Sequence, residues 1–158
     1  MTDKKLKSHR VNIDKIDKEI YALIQKRASH AVAIGKIKSK LSPKESFYKP
    51  DRETKILRNI LNANKKGLLP DSKIRAIYKE LISGCLSLEE ILKVAYLGPE
   101  ATHSEAAVHN QFGSQALRIP TSTIDDVFYQ VINDDVNLGV VPVENSSEGV
   151  INLSLIHI

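Results

Sequence analysis

Two cations interrupt an apolar stripe in the first third of the chain. Between residues 8 and 41, apolar residues recur at helical spacing, and Arg27 and Lys38 occupy positions where that spacing places further apolar side chains. A charge that points into an apolar seam is costly unless an opposite charge pairs with it. At roughly 100° per residue, the step from Arg27 to Lys38 returns to nearly the same side of a helix. The pattern predicts that both cations address one pocket and bind an anionic ligand there.

Arg10 does not share that face. The step from Arg10 to Arg27 leaves Arg10 about 100° away around the helix and about 25 Å away along its axis. If Arg10 also binds the ligand, the simplest arrangement is an antiparallel pair of helices in which each Arg10 serves the other chain's pocket. The alternative is that all three cations are surface groups, with packed stems and heads in water. Periodicity alone favours this alternative.

Composition limits the classes of protein that the sequence can encode. The 158 residues are 42% hydrophobic and 27% charged, as in globular proteins, and have room for one domain or one and a half. No apolar run approaches the length of a membrane span, and the N-terminus lacks the hydrophobic segment of a signal peptide. We therefore expect a cytoplasmic protein with no membrane partner.

Cysteine content and charge narrow the choice further. The single cysteine, Cys85, excludes an internal disulfide framework and a cysteine-rich zinc site. The net charge of +4 suits small anions. Because the cations do not cluster with aromatic residues, we do not expect nucleic acid to bind.

Three helices are predicted in the first 92 residues, over about residues 8–41, 51–64 and 71–92. Two prolines mark a loop after the first, Gly67 is the expected left-handed cap of the second, and Asp71 or Ser72 is the expected N-cap of the third. The first helix is too long for its short neighbours to cover. We therefore expect a homodimer that forms through the first helix.

The character of the sequence changes at Lys93. KVAYLGPEA, QALRIP and NLGVVPVEN have the composition of strands, the first run ending in Gly98 and Pro99. Two helical segments separate them, the first capped near Thr102 or Ser104 and the second at Ser122 or Thr123. Alternating strands and helices with short loops predict a parallel-sheet α/β unit. The expected division is one domain over residues 1–92 and part of a second over residues 93–152.

The last six residues, LSLIHI, have a different origin in our interpretation. They match the translation of a sequence that resembles a common transposase adaptor used for sequencing libraries. We therefore expect residues 153–158 to be a non-native tail and the genuine coding sequence to run off its contig at Asn152.

Several motifs resemble those of one group of enzymes. VAYLGPEATHSEAA and GVVPVENSSEGVIN resemble the opening of prephenate dehydratase, which follows chorismate mutase in bifunctional enzymes. The residues that resemble the all-helical class of chorismate mutase are Arg10, Asp17, Arg27, Gly35, Lys38, the FYKPDRE block over 47–53 and the CLSLE block over 85–89. The resemblance implies an all-α three-helix domain in an intertwined helical dimer, followed by a partial α/β domain of the periplasmic-binding-protein-like type.

The resemblance also implies an activity, the rearrangement of chorismate to prephenate in phenylalanine biosynthesis. Arg27, Arg52 and the partner's Arg10 would hold the two carboxylates of chorismate, since the planar guanidinium can donate two parallel hydrogen bonds to a carboxylate. Lys38 and Glu89 would flank the ether oxygen of the breaking bond. Glu53 would accept a hydrogen bond from the ring hydroxyl, and Cys85 would pack near the pocket. The reaction is intramolecular, so the resemblance implies no metal and no cofactor. The resemblance also favours the prediction that Arg27 and Lys38 bind a ligand over the alternative that they are surface cations.

Glu89 departs from relatives that carry glutamine at this place. A carboxyl group donates a hydrogen bond to the ether oxygen only when it carries a proton, so we expect a mutase that works better at acid pH. Substituting glutamine should then flatten the pH profile. The alternative is that Glu89 is an exposed acid on the third helix.

In the second unit, the resemblance implies a prephenate site with residues from two segments. Its members would be Thr102, Ser104, Glu144, Asn145 and Ser146, and the last three follow a strand predicted to be buried. The family's Thr-Arg-Phe catalytic motif and its phenylalanine-sensing domain would lie downstream of residue 152. We therefore expect this chain neither to dehydrate prephenate nor to respond to phenylalanine.

Other functions remain open at this point. The helical part could be a catalytically silent dimerisation module, and a pyruvate lyase that acts on chorismate could use the same helical scaffold. A basic nucleic-acid binder ranks below both and would require salt-sensitive binding.

Overall fold

The computed structural model describes residues 2–41, 48–145 and 149–150. The described part of the chain begins with three α-helices: α1 (Thr2–Leu41), α2 (Pro50–Ala63), which continues into a 3-10 turn (Asn64–Lys66), and α3 (Asp71–Leu86). It continues with β1 (Lys93–Leu97), α4 (His103–Phe112), β2 (Leu117–Thr121), α5 (Ile124–Ile132), β3 (Leu138–Val140), β4 (Glu144–Asn145) and β5 (Gly149–Val150). A mostly helical unit therefore precedes a small α/β unit, which confirms the expected fold class.

α1 begins six residues earlier than the periodicity predicts. The segment before Ser8 is polar and carries no apolar stripe, but it contains no helix-breaking residue, and Asp3 lies in the first turn where the helix dipole favours an acid. The helix ends at Leu41, two residues before Pro43. Every described side chain from Asp3 to Lys26 is exposed. These 24 residues therefore contact little of their own chain.

α2 starts at Pro50 instead of Asp51, because proline suits the first turn of a helix, where its missing N–H would have no partner. The expectation of a left-handed cap at Gly67 is wrong, since this residue is extended, with φ −73° and ψ 149°. A Cβ at Gly67 would collide with the carboxamide of Asn64. A glycine suits this position because the Asn64 side chain lies close to its Cα, and not because its torsion angles are unusual.

The start of α3 also differs from the prediction. Its N-cap position is Pro70, which makes no side-chain capping bond, so neither Asp71 nor Ser72 is the cap. Instead, Asp71 Oδ1 accepts a hydrogen bond from Asn64 Nδ2 at 2.7 Å, and the same amide donates to Leu69 O at 2.9 Å. The Asp71 carboxylate therefore ties the loop together and is not available to cap the helix.

α3 ends at Leu86, about six residues before the predicted end. Ser87 Oγ donates to Gly84 O at 2.9 Å, and the amides of Leu88 and Glu89 donate to carbonyls three residues back. This tighter turn keeps a spacing close to that of a helix, which explains why the apolar pattern continues past the helix end.

The α/β unit contains a three-stranded parallel sheet in the order β2-β1-β3, which confirms the predicted parallel sheet. Side chains of the central strand alternate between its faces. Val94 and Tyr96 are buried with Val108 of α4, whereas Ala95 is buried with Val127 of α5. The two helices therefore cover opposite faces of the sheet.

Both helix caps of this unit lie at predicted residues. Thr102 Oγ1 accepts from the Glu105 amide at 3.4 Å, and Thr123 forms a reciprocal capping box with Asp126. The third strand is shorter than predicted and ends at Val140, two residues before Pro142, which cannot donate to a ladder. Among the described residues, no helix combines the length and hydropathy that a membrane crossing requires.

Candidate active site

The C-terminal half of α1 forms one wall of a cleft of about 550 Å³. The α1 side chains that line it recur every three or four residues and so share one face of the helix. They are Arg27, His30, Ala31, Ile34 and Lys38. The volume lies in the range of small-molecule sites.

The other walls come from the rest of the helical unit. α2 contributes Arg52, Glu53 and Ile56, and Tyr48 and Lys49 precede it; α3 contributes Ile82, Cys85 and Leu86, and Glu89 follows it. The described lining therefore includes four cations, at positions 27, 38, 49 and 52, against two carboxylates, and its remaining members are mainly apolar. A cleft with this lining suits a small anion that has an apolar body.

Arg27 is held at the wall by the backbone of α3. Its Nη1 donates to Leu81 O at 3.2 Å, and the side chain is half-buried. The cation that interrupts the apolar stripe of α1 therefore lies between two helices, and part of its donor capacity is already used.

Lys38 and Glu89 form an ion pair, with 3.1 Å between Nζ and Oε2. The side chain of Glu89 is only 11% exposed, compared with 34% for Lys38. Glu89 lies in the turn after α3 and is largely buried, so the alternative of an exposed acid on the third helix is wrong. The early end of α3 explains the difference, because the turn directs this residue toward α1.

Gly35 makes the approach of Glu89 to α1 possible. A Cβ at Gly35 would lie 3.2 Å from the Cα of Glu89 and 3.3 Å from its Cβ and Cγ. A side chain there would require the turn or α1 to move by a few tenths of an ångström. The glycine therefore suits the close packing of the turn against α1.

Glu53 is the second carboxylate of the cleft, and its pKa is raised. Burial is the main cause, while the nearby Lys79 ammonium and a hydrogen bond from Tyr48 oppose the shift. Burial also raises the pKa of the Tyr48 hydroxyl, and the hydrogen bond with Gln111 opposes that increase. Glu53 therefore retains a proton at higher pH than a solvated glutamate does.

Because folding raises the pKa of Glu53, its contribution to stability is full below the ordinary value of 4.5 and is lost as the pH rises through the raised value. Glutamine mimics the protonated form at every pH. We expect Glu53→Gln to raise the melting temperature at pH 7 by about 2 °C, and the gain to shrink toward pH 4. Thermal unfolding between pH 4 and 8 measures this difference.

Asp51→Asn is the matched control for that experiment, because Asp51 is an exposed acid in the same first turn of α2. It removes the same charge without removing a buried carboxylate, so no gain is expected at pH 7. A melting-temperature difference for Glu53→Gln that stays constant across this pH range would contradict the interpretation.

The structure brings together six of the seven residues that the resemblance assigns to a mutase pocket. These are Arg27, Lys38, Arg52, Glu53, Cys85 and Glu89, all of which line the cleft. Arg52 is exposed, whereas Cys85 is buried with 6% exposure. Arg10 is exposed on the N-terminal half of α1 and does not line the cleft.

The residues assigned to a prephenate site follow two neighbouring parallel strands. Thr102 and Ser104 come after β1, and Glu144 comes after β3, so these segments lie at the same edge of the sheet. The hydroxyl of Thr102 is used in capping α4. Glu144 is exposed and pairs with β5 in a separate antiparallel ladder, so it does not directly follow a buried strand as predicted.

Asn145 is the second residue of β4, whereas Ser146 and the 153–158 tail lie outside the described residues. Within the described ranges, no group of three His, Cys, Asp or Glu side chains could hold a metal ion.

Three polar lining residues, His30, Tyr48 and Lys49, were not assigned a role from the sequence. His30 follows Arg27 by one helical turn, so the spacing that identifies Arg27 and Lys38 also indicates His30. Tyr48 lies within the FYKPDRE block, but nothing in the sequence indicates that it contacts Glu53 and the end of α4.

Comparison with known proteins agrees with this geometry. Residues 9–90 match the model of the family "Chorismate mutase type II", and residues 94–157 match that of the family "Prephenate dehydratase". The second match includes five of the six residues expected to be a non-native tail. The division into domains and tail stays a prediction.

Three relatives share the name bifunctional chorismate mutase/prephenate dehydratase. The proteins from Aquifex aeolicus, Stutzerimonas stutzeri and Pseudomonas aeruginosa are 47%, 44% and 42% identical to this chain over 153 residues. Each alignment covers 95% of this chain and 42% of the relative, so the chain spans about two fifths of the length of these relatives. The chain belongs to the chorismate mutase type II family, and the start of a prephenate dehydratase region follows its mutase region.

Proposed function

We propose that the helical unit rearranges chorismate to prephenate. The observation that supports this most strongly is the convergence of Arg27, Lys38 and Arg52 with two carboxylates on one cleft of about 550 Å³. A cluster of cations on an apolar wall needs an anionic partner, and chorismate is a small dicarboxylate with an apolar ring.

The arginines serve as carboxylate anchors in this proposal. Arg27, fixed by Leu81 O, and Arg52, exposed at the mouth, hold the two carboxylates of the substrate together with Arg10 of the partner subunit. Bidentate hydrogen bonds fix both the position and the orientation of a carboxylate. The substrate is thereby held in the folded chair that the rearrangement requires, which lowers the entropic part of the barrier.

Lys38 and Glu89 act at the breaking bond. Their ion pair places an ammonium donor beside a second polar group on the same side of the cleft. Negative charge develops on the ether oxygen as the bond lengthens, and a preorganised donor stabilises it. Glu53 accepts a hydrogen bond from the ring hydroxyl, and Cys85 packs at the wall without taking part in the chemistry. The rearrangement is intramolecular, so no metal or cofactor takes part in this mechanism.

The homodimer belongs to the same proposal. On α1, Ile13 is 55% exposed and Leu23 is 66% exposed, and Ile16, Ile20 and Ile24 belong to the same stripe. An uncovered stripe of this length supports an antiparallel pairing of two α1 helices. The pairing brings Arg10 of one chain toward the cleft of the other.

The remaining assignments stay proposals as well. Thr102, Ser104, Glu144, Asn145 and Ser146 are proposed to belong to a prephenate site. The cytoplasmic location and the lack of nucleic-acid or membrane partners stay predictions from composition.

The test of the main proposal is the conversion of chorismate by the 158-residue chain, with the product identified by chromatography. Prephenate alone supports the proposal. Release of pyruvate would instead indicate a lyase on the same scaffold, and a folded dimer that leaves chorismate unchanged would indicate a silent dimerisation module. Salt-sensitive binding of DNA or RNA would favour the third alternative.

The role of Glu89 predicts a specific pH dependence. If Glu89 donates to the ether oxygen only as a carboxylic acid, parental kcat should be higher at acid pH than at neutral pH. The amide of Glu89→Gln donates at every pH, so we expect its kcat to vary by less than about twofold between pH 5 and 8. Stopped assays of initial rate across this range measure both profiles. Glu90→Gln, which changes the neighbouring residue outside the cleft, is the control and should keep the parental slope.

A further inference from the structure

The end of α4, in the α/β unit, contacts the loop residue that borders the mutase cleft. The rings of Tyr48 and Phe112 meet edge to face, with 5.4 Å between centroids and 69° between planes. The Tyr48 hydroxyl is hydrogen-bonded both to Glu53 and to Gln111. Tyr48 therefore connects a cleft carboxylate to two consecutive residues of the other unit.

The end of α4 is itself fixed to α3. Gly113 follows α4 with φ +79°, and a Cβ there would lie 2.6 Å from Ser83 Cβ. Lys79 Nζ donates to Asn110 O at 2.5 Å, where a cation satisfies the carbonyls at a helix end. Ser114 Oγ donates to Glu80 Oε2 at 2.6 Å. These contacts leave the end of α4 little freedom relative to α3.

The apolar packing continues across the same contact. Tyr48 and Leu86 of the helical unit, together with Phe112, pack against the buried cluster formed by Leu92, Val94, Tyr96, Val108 and Ala116. Both Tyr48 and Leu86 also line the cleft. Part of the wall of the mutase cleft is thus supported by the core of the α/β unit.

We infer that Phe112 and Gln111 are positioning residues for the mutase reaction, which hold Tyr48 and, through its hydroxyl, the Glu53 carboxylate. This inference rests on the proposed function. It makes the α/β unit a structural part of the mutase site, so that changes in one unit alter substrate binding in the other.

The test uses Phe112→Leu in the full chain, because leucine keeps an apolar side chain and removes the ring. An aromatic pair of this geometry is worth about a factor of 3 to 10 in an equilibrium. We expect KM for chorismate to rise about three- to tenfold, with kcat changed by less than about twofold, since Glu53 contacts a hydroxyl distant from the breaking bond. Phe112→Tyr keeps the ring and should restore the parental KM.

Two controls separate positioning from general loosening of the α/β unit. Val131→Ala weakens the packing on the opposite face of the sheet, away from Tyr48, and should leave KM unchanged. In a Glu53→Ala background, Phe112→Leu should have no further effect on KM, because the group it positions is gone. A KM increase in Val131→Ala, or a full additional effect in Glu53→Ala, would overturn the inference.

Amide hydrogen exchange does not depend on activity, so it can distinguish a failure of this inference from a failure of the proposed function. Amide hydrogen exchange of the segment 48–57 should be about three- to tenfold faster in Phe112→Leu and unchanged in Val131→Ala, whether or not chorismate reacts. If the parental chain lacks mutase activity but shows this exchange pattern, the proposed function fails and the coupling stands. Equal exchange in Phe112→Leu and the parental chain would disprove the coupling.

Discussion

We expect Lys38→Ala to lower kcat for the conversion of chorismate by about 10²- to 10³-fold. Lys38 Nζ lies 3.1 Å from Glu89 Oε2 in the cleft, where the proposed ether oxygen of the substrate develops negative charge. Loss of a preorganised donor at such an atom has an effect of this size because the donor acts mainly in the transition state. KM should change less than kcat.

Lys36→Ala is the matched control. Lys36 is exposed on the same helix, two residues away and on another face, so the substitution removes the same charge and also introduces the strongest helix former. If Lys38 were a solvated surface cation, the two variants would behave alike. A Lys38→Ala enzyme with kcat within about twofold of the parental value would remove the residue from the mechanism. Circular dichroism of both variants verifies that α1 is retained.

The convergence of Arg27 and Lys38 could be predicted because both lie on one continuous helix. Helical geometry relates their directions without any knowledge of the tertiary fold. The same holds for the caps at Thr102 and Thr123, where the capping residue and its partner amide are three residues apart. Local hydrogen bonds and periodicity are properties that a sequence carries directly.

Contacts between elements could not be predicted in this way. Asn64 reaches across a loop to Asp71, and this contact removes the expected cap of α3. In the turn after Leu86, apolar residues continue at a spacing close to that of a helix. The sequence pattern therefore does not show where α3 ends or that Glu89 turns inward. Tyr48 and Phe112 are 64 positions apart in the chain, and no pattern of spacing in the sequence predicts that their rings are in contact.

The position of Arg10 on α1 bears on whether the residues of the site come from one chain or from two. Arg10 lies about 25 Å from Arg27 along α1. Because a continuous helix cannot fold back on itself, the Arg10 and Arg27 of one chain cannot reach the same pocket. The exposed stripe from Ile13 to Ile24 lies between these two arginines and requires a cover. An antiparallel partner helix would cover the stripe and deliver its own Arg10 to the cleft.

This arrangement predicts complementation between inactive variants. We expect Arg10→Ala and Arg27→Ala each to lose about 10²-fold or more in kcat/KM, since each leaves a substrate carboxylate without its charged partner. When equal amounts of the two variants are unfolded, mixed and refolded, half of the dimers contain one chain of each variant. One of the two clefts in each such hybrid dimer contains both arginines. Activity should return to about one quarter of the parental value for a two-fold symmetric dimer.

A mixture of Arg27→Ala with Lys38→Ala provides the contrast. Both residues line the cleft of their own chain, so every cleft in a hybrid lacks one of them and no activity should return. Native mass spectrometry verifies that hybrids form in both mixtures. If hybrids of Arg10→Ala and Arg27→Ala are present and activity stays at the level of the single variants, Arg10 does not serve the partner's cleft. The antiparallel pairing would then lose its functional reason, because covering the stripe alone does not require Arg10 to approach the cleft of the other chain.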